Sequence, residues 1–122
     1  MFRQIGRLLA LAIFIPTLAV AAVPSGQGYG VGMRSCAYFA KDYAANTSAA
    51  EDIYFTWAQG FMSAINLMTM ANQGVYADLH SEEMTTYKAQ IRSYCNAHPL
   101  SQYVAAVLDV MKGLPKRETN SK

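Results

Sequence analysis

Beyond an apolar run over residues 8–23, polar and apolar positions alternate with helical periodicity in four stretches. The first covers about 33–45, with Cys36, Phe39 and Tyr43 on one face and Lys41 and Asp42 turned away from it. Asn46-Thr47-Ser48 ends that helix. Ser48-Ala49-Ala50-Glu51 then has capping-box spacing, in which a hydroxyl accepts an orphan N–H and a carboxylate reaches back. A second helix is predicted from there to about residue 72, stopped by Gly74.

This second helix sets the chain apart, because residues 53–77 hold no charged side chain. Ile53, Trp57, Gly60, Ala64, Leu67 and Ala71 form one stripe, widened by Tyr54, Phe61, Ile65 and Met68, and the stripe predicts the buried face. The opposite side reads Asp52, Thr56, Gln59, Ser63, Asn66, Met70 and Gln73. Three uses fit such a segment: a membrane span, an ordinary solvated or buried helix, or a surface that meets a partner. Gln59, Asn66, Asn72 and Gln73 would be costly in hydrocarbon, which argues against the span. A face without charge that still hydrogen-bonds has the composition of an interface core.

Ser81 is placed to cap a third helix with Glu82 and Glu83 in its first turn and Lys88 and Arg92 further on, matching the helix dipole. Its apolar face is Met84, Tyr87, Ile91, Tyr94 and Cys95. Pro99 forces its predecessor out of the α region, so the helix ends near His98 and Pro99 itself opens a fourth. Leu100, Tyr103, Val104, Val107, Leu108, Met111 and Leu114 form the apolar face of that helix. The expected fold is a small all-α, four-helix domain over 33–114, followed by a disordered tail over 115–122.

The remaining segment alters the compartment and the charge. Arg3 and Arg7 precede the apolar run, which closes on small residues; this is the layout of a secretory signal over 1–22, cut after Ala21 or Ala22. Residues 23–32 then form a glycine-rich leader, expected to be flexible. Gly26, Gly28, Gly30 and Gly32 do not make a phosphate loop, since a dinucleotide fingerprint follows a strand within a βαβ unit. Loss of Arg3 and Arg7 reduces ten basic residues to eight, equal to the eight acids. The mature chain is near neutral, which excludes the basic footprint of a nucleic-acid or anionic-membrane binder.

Export also decides the role of the cysteines. Cys36 and Cys95 are the only two, an oxidising compartment favours their pairing, and a domain this small gains from a staple. They share no metal-ligand spacing with His80 or His98, and no nucleophile–base pair, carboxylate pair or phosphate loop is visible. The reading is a binding protein without cofactor or metal, not an enzyme. Methionines add flexible apolar contact. Met62 and Met70, least aligned with the stripe, are expected to be exposed, and with Trp57, Gln59, Phe61 and Asn66 they make the candidate partner or client surface.

The order Ser35-Cys36-Ala37-Tyr38-Phe39, then Trp57-Ala58-Gln59-Gly60-Phe61-Met62-Ser63, then Tyr94-Cys95-Asn96-Ala97-His98-Pro99-Leu100 resembles the HdeA-type acid-stress periplasmic chaperones. Sparse patterns of this kind also occur in small immunity proteins that block secreted cell-wall amidases. The first resemblance implies a periplasmic protein that is a folded homodimer near neutral pH and loosens in acid to hold unfolding clients. The second implies an inhibitor of one secreted toxin or enzyme.

Overall fold

A computed structural model describes residues 28–119. The predicted signal segment, part of the leader and the last three residues lie outside this range. Helix α1 spans Cys36–Ala45, α2 Thr47–Gln73, α3 Met84–Ala97 and α4 Tyr103–Gly113. Two short strands, β1 over Val75–Ala77 and β2 over Lys116–Glu118, pair antiparallel with Tyr76 opposite Arg117.

Helix α1 begins at the point where three elements meet. Its first free N–H groups, on Cys36 and Ala37, donate to the carbonyls of Ser101 and Pro99 at 2.7 and 2.9 Å, so the α3–α4 connection caps α1. Cys36 is disulfide-bonded to Cys95 in the last turn of α3, with 4.8 Å between the Cα atoms. The arrangement also explains why α4 starts later than Pro99. The Pro99 and Ser101 carbonyls are turned toward α1, so Pro99 and Leu100 form a turn and Leu100 is left in solvent.

The core gathers around Phe39. Its ring lies 4.9 Å from Tyr54 and 5.1 Å from Tyr103, which meet each other edge-on at 5.0 Å. Ile91, Ala106, Val107, Val110 and Met111 fill the space between α3 and α4. Burial pushes the Tyr103 hydroxyl upward, and Tyr54 likewise, with its hydroxyl donating to Asp42 at 2.9 Å. Both stay neutral across the ordinary pH range.

Three expectations are corrected by packing. Residues 28–32 of the expected flexible leader are part of the fold. The chain enters through Gly30 at φ 91°, makes a 3-10 turn over Val31–Met33, and lays buried Gly32 against Trp57, whose Nε1 donates to the Tyr29 carbonyl at 3.0 Å. Residues 116–118 of the expected disordered tail form β2, because β1 presents an edge to them and Asp78 receives Arg117. Helix α2 begins at Thr47, not at the Ser48 box. Asn46 caps it by accepting from the Ala49 N–H at 3.2 Å, which leaves Glu51 free to reach Arg92 and Lys88.

No Cβ fits at Gly32, where an added methyl would run into the Trp57 ring. Gly32→Ala is expected to lift the leader off α2 at a cost of about 2 kcal/mol. Trp57 is the only tryptophan, so its fluorescence reads the event directly. A shift to longer wavelength is expected; an unchanged spectrum would contradict this packing.

Candidate functional site

Helix α2 buries Ala50, Tyr54, Phe55, Ala58 and Met62. That face is rotated from the predicted stripe. Ile53, Gly60, Ala64, Leu67, Met68 and Ala71, expected inside, face solvent, with Leu67 67% and Met68 60% exposed. Thr56, Gln59, Ser63 and Met70 continue the same exposed arc. The cause lies in the composition: with no charge between residues 53 and 77, no side chain marks the solvent side, and apolar residues occur all round the helix. Gly60 has no atom near where a Cβ would stand, so the close approach it permits is not used within the described residues.

The predicted partner surface is therefore divided. Met62 is buried, not exposed as expected, because its position falls on the true core side beside Phe55 and Ala58. Trp57 and Phe61 are half-buried and stacked at 5.2 Å, with Trp57 engaged by the leader. Asn66 has a backbone role. Its amide donates to the Ala77 carbonyl at 2.8 Å and accepts from the Ala77 N–H at 2.9 Å, so the side chain pairs with β1 as a strand would. Gln59 and Met70 are the two predicted surface residues that lie open on the arc. Ile53, Leu67 and Met68 were missed as surface residues; nothing in the periodicity singled them out.

One edge of the arc opens into a groove of about 440 Å³ between α2 and the β1–α3 loop. Phe55, Met62 and Tyr87 form its buried floor, Leu79 and Met84 its apolar walls, and Gln59 and Ser63 line its α2 side. Gln59 Nε2 lies 3.5 Å from the Met84 sulfur across the groove. Glu82 and Glu83 stand at the rim, and among the described residues neither has a cation within ion-pair distance.

Carboxylates close the seams around this frame. Glu51 on α2 meets Arg92 and, at 3.7 Å, Lys88, both on α3. Their charged heads lie over aromatic rings, Arg92 over Tyr43 and Lys88 over Phe55. Asp42 on α1 holds Tyr54 and, at 3.4 Å, Arg34. Asp78 binds Arg117 of β2 at 3.1 Å, and its carboxyl is held below the usual range, first by the His80 N–H it accepts and then by Arg117.

His98 stacks on Tyr94 at 4.3 Å with Nδ1 3.0 Å from the Tyr94 carbonyl, while His80 borders the groove. Among the described residues no group of three His, Cys, Asp or Glu side chains is placed to hold a metal ion, and no helix is long and apolar enough to cross a membrane. Comparison of the chain with protein-family models, curated proteins and solved structures finds no match.

Proposed function

We propose that this chain is a small exported binding protein that holds partly unfolded clients in acid, in the manner of the HdeA-type chaperones it resembles, and uses the exposed arc of α2 to do so. The observation that carries the reading is that arc: a 27-residue helix presenting Ile53, Leu67 and Met68 to solvent without a charged neighbour from residue 53 to 77. Exposed apolar surface of this extent marks a contact site. Near neutral pH a second copy covers the arc, with Gly60, Ala64 and Ala71 allowing the helices to approach closely.

Acid sensitivity follows from the carboxylate seams. Protonation of Glu51 removes the counter-charge of half-buried Arg92 and the nearer of the two carboxylates beside Lys88, and protonation of Asp78 frees Arg117. The sign is clearest at Asp78. A carboxyl held low in the fold contributes stability above its unfolded pKa and loses that contribution as pH falls through the folded value. The disulfide is indifferent to protons and keeps the frame joined while the seams loosen.

A second reading, an inhibitor of one secreted enzyme, is favoured by the rigidity of the arc, which lies on one unbroken helix. Light scattering by an unrelated protein driven to aggregate separates the two. A chaperone suppresses scattering at about pH 3, where carboxylates are largely protonated, and not at neutral pH. An inhibitor suppresses neither and binds one partner at neutral pH.

A further inference from the structure

The groove beside the arc has a composition of its own. Its floor, Phe55, Met62 and Tyr87, is at most 4% exposed, so those side chains are fixed by the core and the cavity above them is preformed. Its rim is different in kind. Glu82 and Glu83 both border the opening, while the nearest cations of α3, Lys88 and Arg92, are engaged with Glu51 and Asp52. Apolar walls below an uncompensated pair of carboxylates complement a group with a long apolar stem and a cationic head. The groove is also continuous with the arc, since Gln59 and Ser63 belong to both.

We infer that this groove is a pocket for a basic side chain, arginine or lysine, of a bound polypeptide. The stem lies on Phe55, Met62 and Leu79, and the head reaches Glu82 and Glu83. Met84, 59% exposed and with its sulfur 3.5 Å from the Gln59 amide across the opening, is the flexible wall that adjusts to the stem. The inference rests on the reading of α2 as a polypeptide-binding surface and adds a selectivity to it: at neutral pH, segments carrying a basic residue among apolar ones are preferred.

The test is a titration of the full exported chain, labelled at its methionine methyls, with acetyl-Leu-Arg-Leu-amide, and in parallel with the same peptide carrying neutral citrulline. Saturable shifts are expected at Met62 and Met84 and not at Met68 or Met70, with the citrulline peptide about fivefold weaker, as for an exposed ion pair. In the Glu82→Gln, Glu83→Gln double variant the two peptides become equal. Equal binding of both peptides to the unaltered chain, or no saturation by about 5 mM, overturns the inference. Leu67→Lys alters the arc and not the groove. If it abolishes client protection while the arginine peptide is ignored, the groove assignment fails and the reading of α2 stands. If it leaves client protection intact while the peptide binds as expected, the reading of α2 fails.

Discussion

Reduction of the Cys36–Cys95 bond is expected to lower the melting midpoint by about 20 °C. The two cysteines are 59 residues apart, and closing a loop of that length contributes about 4 kcal/mol by restricting the unfolded chain. For a domain of this size that is a large share of total stability. The bond also sits where the start of α1 is hydrogen-bonded to the α3–α4 connection, so its loss removes the restraint on those caps as well. Melting followed by circular dichroism, with and without reductant, measures the effect. A double Cys36→Ser, Cys95→Ser variant gives it without added chemistry. An unchanged midpoint would contradict the role assigned to the bond.

Phe39→Ala is expected to cost about 4 kcal/mol, comparable to losing the disulfide. Phe39 is buried, and its ring touches those of Tyr43, Tyr54 and Tyr103, which come from α1, α2 and α4. An alanine leaves a cavity ringed by tyrosines whose positions depend on one another. Tyr38→Ala, one residue earlier and 58% exposed, should change stability by less than about 0.5 kcal/mol. Denaturant unfolding of the pair provides an internal control. Similar losses for both would mean that α1 does not present the face described.

The four helices and the disulfide were legible in the sequence because their signals are local: a glycine at φ 68° ending α2, a proline closing α3, and two cysteines with one way to pair. The first, third and fourth helices carry charged residues away from their core faces, Lys41, Asp109 and Lys112 in solvent and Lys88 and Arg92 at a half-buried seam, and their core residues Phe39, Tyr87, Ile91, Val107 and Met111 were assigned to the inside. Helix α2 carries no such marks beyond Asp52. Its periodicity therefore fitted more than one face, and Ile53 and Leu67 were placed inside while Met62 was placed outside. The strands were not legible for a different reason. Three residues on each side are too few to show alternation, and β1 is completed by the side chain of Asn66, a contact that no local pattern encodes. The groove was equally hidden, since Phe55 and Met62 of α2 meet Leu79, Glu82 and Tyr87 only through the tertiary fold.

Clients, in the function proposed here, are held on the solvent-facing arc of α2. Leu67, near the middle of that arc and 67% exposed, is the position whose change affects the arc most and the fold least. Lysine is the appropriate replacement, since an aspartate would lose its charge in the acid where the activity is expected. The decisive measurement is light scattering from an acid-denatured client at about pH 3 in the presence of the unaltered chain, Leu67→Lys, or Gln90→Lys, the last placing the same charge on the exposed side of α3. The unaltered chain and Gln90→Lys are expected to suppress scattering and Leu67→Lys is not. Equal protection by Leu67→Lys would overturn the placement of clients on the arc.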